Sequence, residues 1–208
     1  MEIDRSIALF QQEQWAREEE EKNRSFLEQY DPKNHIKYTL EELIEGIHKK
    51  KQYLYTSKLE FEEKKLLSGR LVIPFIRDFF DVIDDEPDTA LLASNSRQVT
   101  MTFSDTSAQK AVHSTEEWIE GMKGSMKAMN LNMMVEQTKV LGNMEYLCCT
   151  VPTAKGKIYN VIFYMQKDDR LYAGTLNCPE KEKEGMGLWL EACVHVIEEM
   201  NRQGGDVS

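Results

Sequence analysis

In the last third of the chain, apolar residues alternate with polar ones or run together in three stretches: Glu136 to Val151, Lys157 to Gln166 and Arg170 to Asn177. Short polar turns separate them. A period of two, or a brief apolar run bounded by turn residues, is the pattern of a β-strand. From Gly187 to Met200 the spacing becomes helical, and Leu188, Trp189, Ala192, Val196 and Met200 make the richest apolar face in the sequence. Three strands followed by such a helix predict a sheet that lays its own helix across one face.

The same reading upstream supplies the rest of a sheet. Leu59 and Phe61 alternate with Lys58, Glu60 and Glu62, a short strand with one wet face. Ser68-Gly69 reads as a turn, and the apolar run from Arg70 to Ile76 contains Pro74, which has no ladder donor, so this strand is expected to lie at an edge or to end there. Asp84 to Asp88, with Pro87, reads as an acidic turn. Thr89 to Ala93, the turn Ser94-Asn95-Ser96 and Arg97 to Ser104 form a hairpin pattern with Val99, Met101 and Phe103 on one face. Ser114 or Thr115 then caps a helix whose first turn holds Glu116 and Glu117, as the helix dipole prefers. Trp118, Met122, Met126 and Met129 fall near one stripe of it, and Asn130 to Asn132 end it.

The N-terminal part reads differently. Ile3, Ile7 and Phe10 have helical spacing, but Arg17 to Arg24 is dense in charge, so residues up to about Tyr30 read as an exposed helix docking by its ends, around Phe10 with Trp15 and Phe26 with Leu27. Asp31-Pro32 breaks it, because a residue before proline is pushed out of the helical region. Thr39 and Glu42 have the spacing of a capping box, followed by the stripe Leu40, Leu43, Ile44 and Ile47. A boundary is therefore expected near residue 55, with a helical N-terminal extension over 1–55 and an α+β body over 56–208. The predicted fold class is α+β, an antiparallel β-sheet flanked by helices.

Composition narrows the function classes. With 208 residues, 41% of them hydrophobic and 30% charged, the chain fits one domain of ordinary size plus an extension. A formal net charge of −10 repels phosphate backbones and anionic lipid, so no nucleic-acid partner is expected. The compact basic run His48 to Lys51 reads as a solvated helix end. No stretch approaches the roughly 18 apolar residues of a membrane span, and the start Met-Glu-Ile-Asp-Arg-Ser lacks a basic segment followed by an apolar one. A soluble, cytoplasmic protein is expected. Cys148, Cys149, Cys178 and Cys193 follow no metal spacing, and adjacent Cys148 and Cys149 in a strand point to opposite faces. They read as reduced, buried thiols.

Taken together, Ser68-Gly69-Arg70-Leu71-Val72-Ile73-Pro74, a hairpin ending in Val99 to Phe103, a Trp-bearing helix, a three-strand meander and a closing helix resemble the PsbP-like and DcrB-like superfamily over about Leu66 to Asn201. The resemblance implies an antiparallel sheet sandwiched by helices. It also implies a binding role, since members of that superfamily include an extrinsic photosystem subunit, a Ran-binding import factor and chaperones that escort secreted toxins. It brings no shared catalytic residues, and the helical N-terminal extension departs from the family's compact form.

No catalytic constellation stands out. The imidazoles are His35, His48, His113 and His195, and His195 sits two residues from Cys193, a spacing that does not face on a helix. Asp84, Asp85, Glu86 and Asp88 lack the spaced ligands and central glycine of a calcium loop, and no glycine pattern makes a phosphate cradle. No catalytic residue, metal or cofactor is expected. The soft apolar residues remain: Met122, Met126, Met129, Met133 and Met134 either belong to the core or line a groove for an apolar segment of another protein, because methionine repacks around varied partners. Phe10 and Trp15 either pack on the body or form a second contact surface. The expectation is a non-enzymatic protein-binding module, an adaptor or chaperone for a secreted or other client. The alternatives are a small hydrolase using Cys178 or His195 and a structural homodimer subunit.

Overall fold

Thr39 caps the first described helix, α1 (Leu40–His48). Its hydroxyl accepts from the Glu42 amide at 3.2 Å while the Glu42 carboxylate accepts from the Thr39 amide at 2.8 Å, the reciprocal box that Thr-x-x-Glu predicts. The computed structural model describes residues 38–54, 57–107, 115–167 and 169–202. The expected first helix, with Phe10 and Trp15, lies outside them.

After α1 come β1 (Lys51–Leu54), β2 (Ser57–Leu66) and β3 (Leu71–Ile76), which pair antiparallel in that order as a three-stranded sheet. Next follow β4 (Val82–Asp85), β5 (Thr89–Ser94), β6 (Val99–Ser107), the helix α2 (Thr115–Ala128), β7 (Met134–Leu141), β8 (Met144–Thr153), β9 (Gly156–Lys167) and β10 (Arg170–Pro179). These seven strands make a second antiparallel sheet in the order β4-β5-β6-β10-β9-β8-β7. A short 3-10 turn and a π turn over Glu180 to Gly187 lead into α3 (Leu188–Asn201).

The boundary expected near residue 55 falls inside a hairpin. β1 and β2 pair from Lys51 with Glu60 to Leu54 with Ser57, and α1 packs along α3. Residues from Thr39 onward are thus part of the body. Glu136 to Val151, expected as one strand, is the hairpin of β7 and β8 turning at Gly142-Asn143, where Gly142 takes a φ of +53°. The expected acidic turn begins inside a short, fully exposed strand, β4, which Leu91 and its neighbours in β5 recruit by pairing.

α3 is the centre of the molecule, because a sheet lies on each side of it. Trp189 is fully buried with its ring 6.3 Å from Phe61 of β2, and α3 also contacts β3 and β9. Burial therefore extends beyond the face of Leu188, Trp189, Ala192, Val196 and Met200 to Leu190, Cys193, Val194 and Ile197. β3 carries Pro74 and is an edge strand, as expected. Its free edge is met by Asn201 of α3, whose side-chain amide donates to Val72 O at 2.6 Å and accepts from the Val72 amide at 2.9 Å. One side chain thus supplies the pairing that a neighbouring strand would give.

The large sheet has two unlike faces. Met101, Phe103, Tyr146, Cys148, Val161, Phe163 and Leu176 point into the core around α3. On the other face α2 lays Trp118, Ile119, Met122 and Met126 over Met133, Leu147, Cys149, Val151 and Ile162. That cluster draws on β8, β9, the approach to β7 and Val135 at its start, and it takes no apolar residue from β5, β6 or β10.

Candidate binding surfaces

The methionines divide between core and surface. Met122 and Met126 are partly buried against the cluster under α2, and Met133 is 6% exposed within it. Asn130 ends the helix in the left-handed region at φ +58°, which turns the chain away. Met129 and Met134, on either side of that turn, are left 60% and 44% exposed.

Beside α2, none of the described residues covers the outer face of the sheet. The outward positions of β6 and β10 hold small or hydroxyl side chains, with Thr102 opposite Thr175 and Ser104 opposite Ala173. Leu91 continues that floor on β5. Trp118 and Met122 of α2, with Ile162 of β9, form the wall, and between wall and floor runs a groove of about 480 Å³. That volume is in the range of sites that hold ligands. Trp118 is fixed there by an edge-on contact with Tyr164 at 4.6 Å between ring centroids. The groove's far rim is β4, where Asp84 is the one charged residue lining it among the described residues.

A second recess lies on the opposite side, against α3. Glu191 is 4% exposed, and its Oε1 accepts from Tyr146 Oη at 2.6 Å, Lys139 Nζ at 2.9 Å and Gln137 Nε2 at 3.0 Å. Tyr146 Oη also meets His195 Nε2 at 3.0 Å, and Gln137 donates to Cys148 Sγ at 3.1 Å. A bulge in β7 between Val135 and Gln137 lets the adjacent Glu136 and Gln137 both face this cleft, which strict alternation would forbid. Glu136 accepts from Thr150 Oγ1 at 2.6 Å and pairs with Lys183. Leu40, Leu188 and Tyr159 complete a cleft of about 600 Å³.

Electrostatics make this cluster self-contained. Burial, then the hydrogen bond to Glu191, pushes the Tyr146 phenol far up, and burial does the same to Tyr159, so both stay protonated donors. Burial holds the His195 imidazole below its ordinary value. For Glu136 burial works upward, but Lys183 and Thr150 outweigh it and the carboxyl ends below its usual range. Burial pushes the thiols of Cys149 and Cys178 to about 12 and raises Cys148 and Cys193 as well, so none is a thiolate at neutral pH. Of the two residues considered for a hydrolase, Cys178 is 1% exposed and His195 meets a tyrosine. Sequence reasoning missed the Glu191 cluster. The available signal was Glu191, a carboxylate in the first turn of α3 with apolar residues on both sides of it.

The acidic stretch is largely taken up by the fold. Asp85 accepts from the Leu67 amide at 2.9 Å, Asp88 is 3.1 Å from Arg70, and Asp81 accepts from the Asn95 amide at 2.7 Å. Buried Asp105 ties Arg70 and Arg170 together at 2.6 and 2.5 Å. Among the described residues, no group of three or more His, Cys, Asp or Glu side chains gathers to hold a metal ion, and no helix is long and apolar enough to cross a membrane. In the basic run, Lys49 pairs with Glu45 at 2.7 Å and His48 with Glu199 at 2.9 Å, at the C-terminal end of α1.

No protein-family model matches the chain, and no curated protein matches its sequence. Solved structures do match. Cyanobacterial PsbP (CyanoP) from Synechocystis sp. aligns over 64% of this chain and 89% of its own, with a TM-score of 0.53 at 7% identity. A Pseudomonas aeruginosa protein of unknown function, PA94, aligns over 71% of this chain and 99% of its own, with a TM-score of 0.38 at 8% identity. The fold is α+β and PsbP-like, as the order of hairpin, Trp-bearing helix, meander and closing helix implied.

Proposed function

We propose that this protein is a non-catalytic protein-binding module, an adaptor or chaperone that shields an apolar segment of a client protein in the cytoplasm. The client is of the kind that is later secreted. The observation that carries this reading is the outer face of the large sheet, which the described residues cover only in part. α2 buries its stripe over β8 and β9 and leaves a walled groove over β5, β6 and β10. Its wall is a tryptophan and a methionine, side chains that present large apolar area and adapt to varied partners. Its floor of threonine, serine and alanine lets a segment lie close to the sheet. Met129 and Met134, exposed at the end of α2, extend the soft surface beyond it. The raised thiol values also favour a role without nucleophilic chemistry.

The test is co-purification of the tagged full chain from its native host under gentle conditions, beside Ala173→Trp, which fills the groove floor. A stoichiometric partner held by the wild type and lost from the variant is expected. Recovery of the chain alone, or of the same partner by both proteins, contradicts the proposal.

A further inference from the structure

We infer that the groove selects its occupant by charge, taking an apolar segment of a partner protein that carries a lysine or arginine side chain where it crosses β4. This rests on the protein-binding reading above and adds the chemistry of the partner. Asp84 is the charged member of the lining, and it stands across the strands from Leu91, on the same face. Its acidic neighbours serve the fold: Asp81 and Asp85 accept backbone amides, and Asp88 pairs with Arg70. The Asp84 carboxylate has no such partner within the described residues, and all four residues of β4 are exposed. A carboxylate at the rim of an otherwise uncharged groove is solvated until something covers it. An apolar segment that covers it is favoured when it brings a cation and disfavoured when it brings an anion.

The same charges argue against a second copy of this chain as occupant. Asp84 and Asp85 on β4, with Glu86 beyond, would meet their own kind across a symmetric contact, on a molecule of net charge −10.

Two capped synthetic peptides of apolar Leu/Ala/Met sequence serve as probes, one with lysine near one end and the other with glutamate there. Each is titrated into the full chain by fluorescence anisotropy. An ion pair and its like-charge counterpart at a part-exposed site together predict roughly fivefold tighter binding of the lysine peptide. The preference should shrink at high salt, vanish in Asp84→Asn and invert in Asp84→Lys. Should Asp84→Lys not fold, Thr102→Lys on the groove floor is expected to weaken the lysine peptide selectively. Equal binding of both peptides, abolished by Ala173→Trp, overturns charge selection and leaves the protein-binding reading intact. Binding of neither peptide to the wild type overturns both. Tighter peptide binding by full-chain Trp15→Ser would make the chain's own N-terminal residues the occupant. A dimer lost in Ala173→Trp would make it a second copy, and either result overturns the inference.

Discussion

Replacing Glu191 by alanine removes the acceptor shared by three donors, and the cost can be worked donor by donor. Tyr146 is wholly buried and 2.6 Å away, so its bond to a charged acceptor is in the class worth about 1.5–3 kcal/mol. His195 at 3.0 Å remains as a second partner and keeps the phenol from being stranded, which places the loss toward the lower figure. Gln137 retains Cys148 Sγ at 3.1 Å, so its share is about 1 kcal/mol. Lys139 has a side chain 40% exposed and rehydrates, which limits its share to about 0–1 kcal/mol. The expected total is about 3 kcal/mol, equivalent to roughly 6–12 °C in melting temperature for a domain of this size. Urea denaturation measures it, with an unchanged slope showing that the denatured state is not altered. Glu191→Gln keeps an oxygen for Tyr146 and should lose about 1 kcal/mol. A cycle with Tyr146→Phe should return a coupling of at least about 1 kcal/mol. A loss below about 1 kcal/mol for Glu191→Ala, or equal losses for the alanine and glutamine variants, would refute the reading of this cluster as a buried charged staple.

Thr39→Ala removes the cap of α1 and should cost about 1 kcal/mol by the same denaturation assay. Asn201→Ala strips the partner from the edge of β3, and about 2 kcal/mol is expected, with faster amide exchange at Val72 as the local sign. His195 predicts a pH dependence. Burial first, with Lys139 adding and Glu191, Glu198 and Glu199 opposing, keeps the folded imidazole neutral to lower pH than in the unfolded chain. The unfolded state therefore binds the extra proton as pH drops below about 6.5, and stability falls with pH there while remaining level above. His195→Gln should flatten the slope of denaturation midpoint between about pH 7 and 5.5; a slope unchanged from wild type would refute the assignment.

Much of this architecture was legible because local chemistry and the fold agree. The Thr39 and Glu42 box, the proline edge of β3, the hairpin into β6 and the apolar closing helix each announce themselves within a few residues. The turn at Gly142-Asn143 was hidden because apolar residues continue on both sides of it, although 16 residues is long for one strand. β4 was hidden because none of its side chains is buried, so no pattern of burial marks it. The Glu191 cluster joins α3 to β7 and β8 across 45 to 54 residues of sequence, a pairing that only the register of the sheet creates. The groove was half legible. The methionine stripe pointed to α2, but that it ends beside strands the described residues leave uncovered depends on the strand order, which places β10 between β6 and β9.

The most direct measurement is hydrogen exchange of the full chain with and without the lysine-bearing apolar peptide. Slowed exchange is predicted in α2 from Trp118 to Met126 and at the β4 rim around Asp84, with α3 and the Glu191 cleft unchanged. Slowing confined to α1, Lys139 and Lys183 around the Glu191 cleft, or no change in α2 at saturating peptide, would contradict the groove as the binding surface.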